Sequence, residues 1–152
     1  MRPAILTTLF TLAAAWGVIA QDRDGPPPHD AARPAIVVKA SPLLAFAPAR
    51  IAVHAELKGG ALDYEPYYCT TIVWDWGDET TSELTPDCSP YEAGTSRIRR
   101  HHTSVHTYAS SGHFTVRFQM KRGDRIVGSA SKSVLVRPPV RNPGEVADQA
   151  GQ

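Results

Sequence analysis

Asp75, Asp78 and Glu79 lie within five positions of one another beside two of the chain's three tryptophans, in the run Ile72-Val73-Trp74-Asp75-Trp76-Gly77-Asp78-Glu79. Paired carboxylates at a suitable separation can serve as general acid and base on a glycoside. Hard oxygen ligands of this kind also suit calcium, for which Asp75 and Asp78 are the candidates. At the end of a strand the same side chains have a simpler use, accepting backbone N–H bonds and shaping the turn. His101, His102, His106 and His113 form a second group of donors. On a helix, positions four apart could share a zinc ion, but on a strand His102 and His106 are roughly 13 Å apart at about 3.3 Å per residue. The spacing therefore predicts no metal shared by that pair, and leaves a folded loop as the one way to gather His101 and His113. Arg97, Arg99, Arg100, His101 and His102 form a basic run. Such a run could hold an acidic polysaccharide or a phosphate-rich surface, or it could be the charge that keeps an edge strand from pairing with another sheet. No nucleophile elbow, phosphate-binding glycine loop or HExxH motif is present, so the sequence predicts no enzyme and no cofactor.

The elements that must position these residues follow a period of two. Ile72, Trp74 and Trp76 alternate with Thr71, Val73 and Asp75, which sets the bulky side chains on one face of a strand that Gly77-Asp78 ends. Each indole brings roughly 150–250 Å² of surface to a core. Ile51, Val53, Ala55 and Leu57 alternate with Ala52, His54 and Glu56, and Phe114, Val116, Phe118 and Met120 alternate with Thr115, Arg117 and Gln119. Ile36-Val37-Val38 reads as a first edge strand, and Gly123-Asp124 as a hairpin turn into a strand over Ile126 to Val136. Leu43 to Pro48 reads as a turn and Ser96 to His102 as a basic strand. Thr80 to Thr95, broken by Pro86, Pro90 and Gly94, should hold no regular element. Six or seven short strands with no helical period predict an all-β sandwich. Its core should place the indoles opposite Ile51 to Leu57 and Phe114 to Met120.

The 152 residues, 42% apolar with 13 prolines and 11 glycines, leave room for one domain with loose ends. Residues 1–20 read as a cleavable secretory signal: Met1-Arg2, an apolar run from Ala4 to Ala15, and Val18-Ile19-Ala20 before Gln21. Residues 21–34 read as a proline-rich linker, 35–137 as the domain and 138–152 as a flexible polar tail. Losing Arg2 would leave 15 basic against 15 acidic residues, so no nucleic-acid partner is indicated. No later apolar run is long enough to span a membrane, so none is expected once the signal is gone. In an oxidising compartment the even pair Cys69 and Cys88 should be bridged, closing a loop worth roughly 3 kcal/mol.

Two of these stretches resemble a known family. Trp74-Asp75-Trp76-Gly77-Asp78 is similar to the Trp-Asp-aromatic-Gly-Asp signature of PKD domains, the immunoglobulin-like modules named for polycystic kidney disease. His106-Thr107-Tyr108, Gly112 and Phe114-Thr115-Val116 resemble the family's second signature, in the family's order. Ala47-Pro48 is similar to the proline before the second strand, and Ser133-Val134-Leu135-Val136 to the closing strand. The likeness covers roughly Ile36 to Arg137. It implies an immunoglobulin-like sandwich of about seven strands and a non-enzymatic module, with the signature residues structural; some bacterial members bind calcium near the first turn. Beside that, Tyr108 stands at a corner where its hydroxyl can bond back to the backbone. Glu79 departs from the pattern by standing where the family usually has glycine, and the segment between Asp78 and His106 is longer than in compact members and carries Cys88.

The function expected from these readings is a secreted or periplasmic, non-catalytic protein that contacts another extracellular protein. The alternative is carbohydrate binding through Tyr64, Tyr67, Tyr68 and Tyr91, which sit in the two loops the disulfide would join. Two rings facing water side by side would make a binding face; otherwise the tyrosines pack together under the insertion. Removing Tyr67 and Tyr68 is expected to leave the domain folded.

Overall fold

The computed structural model describes residues 32–140. The expected signal sequence, most of the expected linker and the expected tail from residue 141 lie outside the described residues. Within them, eight strands and one turn of 3-10 helix follow in the order β1 Ala35–Ser41, β2 Leu44–Phe46, β3 Ala49–Lys58, the 3-10 turn Glu65–Tyr67, β4 Thr71–Asp75, β5 Thr81–Leu84, β6 His101–Tyr108, β7 Gly112–Arg122 and β8 Arg125–Arg137. One sheet has the order β1-β3-β6 and the other β2-β8-β7-β4-β5. All pairs are antiparallel except β2 with β8. The result is an immunoglobulin-like all-β sandwich.

The core follows from the alternation in each strand. β3 sends Ala49, Ile51, Val53, Ala55 and Leu57 inward, and β7 sends Val116, Phe118 and Met120, all buried. A fully buried side chain of this size contributes about 1.5–3 kcal/mol. Trp74 and Trp76 stack at 5.9 Å between centroids, and Trp74 tilts against Phe118 at 4.9 Å. Phe118 is the cross-strand partner of Trp74. β7 therefore flanks the tryptophan strand in the same sheet rather than facing it, and the sheet across the sandwich is the one that holds β3 and β6. Val73, placed by its alternation on the outer face, is also buried.

Three local readings are corrected. The turn expected over Leu43 to Pro48 contains β2, which pairs through Leu44↔Leu135 and Phe46↔Arg137. The irregular stretch after Asp78 contains β5, paired through Trp74↔Ser82 and Ile72↔Leu84. All four residues of β5 are exposed, so no apolar alternation marks it; the strand exists because β4 offers it a free edge. The expected basic strand over Ser96 to His102 is displaced, since β6 begins at His101. Residues 97–100 instead lie along the Gly59-Gly60 loop. The Arg100 guanidinium donates to the carbonyls of Leu57, Gly59, Gly60 and Ala61 at 2.8–3.3 Å. Ile98 is buried and its N–H bonds the Leu62 carbonyl.

The end of the expected linker is docked on the domain. Pro34 is buried, Ala61 N–H donates to the Ala32 carbonyl at 2.8 Å, and Arg33 donates through Nε to the Tyr67 hydroxyl at 2.9 Å.

Candidate functional site

Where β4 ends, the chain forms a compact polar turn under an aromatic lid. Asp75 Oδ1 accepts the N–H of Gly77 at 3.0 Å, and its other oxygen accepts from Arg117 Nη1 at 3.1 Å. Asp78 Oδ1 accepts both the N–H and the hydroxyl of Thr80, at 3.2 and 2.6 Å. Its Oδ2 accepts from His106 Nε2 at 2.7 Å. Burial pushes the Asp78 carboxyl up, but the hydrogen bonds from Thr80 and His106 outweigh it and hold the group below its ordinary value. Gly77 has φ +76°, and a Cβ there would come within 2.8 Å of the Thr115 carbonyl oxygen. Glu79, at the position where a glycine is usual in PKD domains, has φ 69°, so this glutamate holds the left-handed conformation that glycine adopts freely.

The two signature stretches meet at this turn. His106 stacks on Trp76 at 4.7 Å and 12° between planes, and Tyr108 meets His106 edge-on at 4.7 Å. The Tyr108 hydroxyl, fully inside, donates to the Trp76 carbonyl at 2.8 Å. Burial, with the negative charges of Asp78 and Asp75 added, pushes that phenol up to about 12, so it remains a donor. Trp76 Nε1 donates to Ser82 Oγ at 2.9 Å, tying the indole to β5. Thr107 points outward on β6, and Gly112 opens β7 with Phe114 packed against it. Asp75 and Asp78 are thus each held by a turn N–H and by a second side chain, Arg117 for Asp75 and the His106 ring for Asp78. Among the described residues no three His, Cys, Asp or Glu side chains gather to hold a metal. His101, His102, His106 and His113 are not brought together: His106 belongs to the Asp78 turn, and the His102 ring bonds the Arg99 carbonyl at 3.1 Å.

The disulfide pins the long insertion to the loop before β4. Cys69 and Cys88 are bonded with Cα atoms 6.1 Å apart. The tyrosines around it are used within the chain. Tyr67 is only 3% exposed and packs in the core, which removes it from any binding face. Tyr64 meets it edge-on at 5.0 Å. The Tyr68 hydroxyl donates to the Ser89 carbonyl at 3.0 Å and the Tyr91 hydroxyl to the Asp63 carbonyl at 2.8 Å. Tyr68 and Tyr91 meet edge-on at 5.5 Å, not side by side as a flat platform. Tyr68 and Tyr91 thus brace the two loops against each other.

An opening that the sequence did not reveal runs along the flank between β5 and β6, the edge strands of the two sheets. β6 turns His102, Ser104 and His106 toward the sandwich where large apolar residues would close it, so the flank is under-filled. Two adjoining hollows result. One, about 230 Å³, is floored by Ile72 and Trp74 and walled by Ser82, Glu83 and Ser104. The other, about 160 Å³, is floored by Tyr67, Ile72 and Leu84, walled by the disulfide and rimmed by Arg97 and Arg99. Leu84 is 57% exposed at their junction. Neither arginine makes an ion pair among the described residues. Burial pushes the His102 imidazole down, and the nearby Arg99 and His101 charges add to this against the raising effect of its bond to the Arg99 carbonyl. The basic run was legible; that it rims an apolar hollow depends on β5, which was not.

No family model matches the chain, and no curated protein matches it. Among solved structures, the chain is similar to the PKD domain of an M14-like peptidase from Thermoplasmatales archaeon SCGC AB-540-F20, at TM-score 0.47 and 14% identity, over 69% of this chain and 96% of that one. The immunoglobulin-like sandwich is defined by this chain's own sheets and their order. No helix among the described residues is long and apolar enough to cross a membrane.

Proposed function

We propose that this chain is a secreted or periplasmic, non-catalytic PKD-like module that binds another protein through the flank between β5 and β6. The observation that carries the reading is the apolar hollow over Ile72 and Leu84 with two arginines at its rim that make no ion pair among the described residues. Exposed apolar surface bordered by polar groups marks an interaction site more often than isolated surface leucines do. The disulfide and the amino-terminal signal pattern support an oxidising location. Carbohydrate binding through Tyr64, Tyr67, Tyr68 and Tyr91 has less support, because one ring is buried and two others spend their hydroxyls on loop carbonyls.

A photo-crosslinking residue placed at Leu84, with a control at Ser131 on the outer face of the five-stranded sheet, tests the reading. The expected result, in the extracellular or periplasmic protein fraction of the source cells, is one saturable adduct at position 84 that is missing at 131. Adducts of equal yield and identity at both positions overturn it. A glycan array examines the alternative, which needs a hit lost on Tyr68→Ala or Tyr91→Ala.

A further inference from the structure

The size of the flank argues against a small-molecule ligand. Cavities that enclose such ligands run to about 300–1,000 Å³, whereas the two hollows here hold about 230 and 160 Å³ and open side by side. Each accepts one side chain. A row of small hollows beside an unpaired strand edge suits an extended peptide, whose backbone pairs with the edge while alternate side chains fill the hollows. Both bordering strands have such an edge: β5 pairs only with β4 and β6 only with β3. β6, eight residues long, offers the longer ladder.

Charge gives the ligand its sign. The smaller hollow has an apolar floor, Arg97 and Arg99 at its rim and no carboxylate among its lining residues. Glu83 lines only the larger hollow, which Arg99 also borders. An arginine pair that makes no ion pair among the described residues favours a carboxylate, which it can grip with paired N–H donors. The platform is held in place before any ligand arrives, by the Cys69–Cys88 bond, the Tyr68 bond to Ser89 and the Arg100 clamp on the Gly59-Gly60 loop. Preorganisation of this kind lowers the cost of binding.

We propose that the flank takes an extended acidic segment of a partner protein, with one apolar side chain seated over Ile72 and Leu84 and the adjoining carboxylate held by Arg97 and Arg99. The proposal rests on the reading that the flank is a protein-binding face, and it names the chemistry of what binds. The probe is the fluorescently labelled peptide Thr-Val-Thr-Leu-Glu-Glu, titrated by anisotropy against the disulfide-bonded protein. Saturable binding is expected, weakened at least about tenfold by replacing the peptide's leucine with serine, by replacing its glutamates with lysines, or by the Arg97→Glu/Arg99→Glu double variant. Both arginines are exposed, and an unchanged melting temperature of the double variant verifies that it is folded. Leu84→Asp, on the exposed edge strand, is a second variant expected to abolish binding. Absence of binding at about 1 mM peptide, equal binding of the lysine peptide, indifference to charge reversal, or equally tight binding of alginate would each overturn the proposal. If the crosslink at position 84 persists in the double variant while the peptide fails, the acidic-segment inference falls and the protein-binding reading stands.

Discussion

At the scale of single residues, the aspartates and indoles that invite a catalytic reading are the parts of one turn. Asp75 and Asp78 each accept a backbone N–H, Asp75 pairs with Arg117 and Asp78 with the His106 ring, while Tyr108 reaches across to the Trp76 carbonyl. Three changes measure this. Trp74→Ala should cost about 3–5 kcal/mol, the loss of a large core ring, read from urea unfolding; a variant as stable as the parent would remove Trp74 from the core. Tyr108→Phe leaves the buried Trp76 carbonyl without its donor and should cost about 1–3 kcal/mol with the fold retained. Glu79→Gly should go the other way. Left-handed backbone costs an L-residue roughly 1–2 kcal/mol, and the greater freedom of glycine in the unfolded chain returns about 0.4–1 of that. A net gain of several tenths of a kcal/mol is expected, visible as a higher denaturation midpoint; a lower midpoint would mean that the Glu79 side chain matters more than its φ. The types of these residues and their order could be read directly. That His106 stacks on Trp76 and bonds Asp78 could not, because it joins positions 28 apart in the chain.

At the scale of elements, the insertion between β4 and β6 is a braced wall. The Cys69–Cys88 loop spans a sequence separation of 19, for which the chain-entropy model gives about 3 kcal/mol. Cys69→Ala/Cys88→Ala should lower stability by about that amount in chemical denaturation, and adding reductant to the parent should reproduce the loss; parent and variant with equal midpoints would show that the loop is already ordered without the bond. Tyr67 and Tyr68 should now part company. Tyr67→Ala empties a core position and costs about 3–5 kcal/mol by analogy with other large aromatic truncations, whereas Tyr68→Ala, half-buried with one exposed hydrogen bond, should stay within about 1–2 kcal/mol of the parent. The sequence supplied the aromatic loops but not their orientation. Burial of Tyr67 depends on Arg33 and β8 closing over it from distant parts of the chain.

At the scale of the whole molecule, acid should weaken the sandwich in two stages. The His102 imidazole is held below its ordinary 6.5, so as pH falls below about 6.5 the unfolded chain takes up a proton that the folded chain resists. Stability therefore drops from that point until the folded imidazole also protonates. Asp78 is held below its ordinary 3.8, so its contribution, fully present above that value, is lost as pH falls further through the folded-state pKa. Melting temperatures from pH 7.5 to 3 should decline in both ranges, and His102→Gln should flatten the upper one. An unchanged upper slope in that variant would assign the effect elsewhere. By itself the sequence determined the fold class, the core strands β3, β4, β7 and β8, the turn chemistry at Gly77-Asp78 and the cysteine pair, because period-two alternation and turn residues are written locally in side-chain type. Only the tertiary structure decided that β2 and β5 are strands, that β6 starts at His101, and that an apolar flank rimmed by arginines stays open between the sheet edges. Those features arise from pairing between distant segments: an exposed four-residue strand becomes a strand when β4 lies beside it, and a hollow appears where two sheets fail to close.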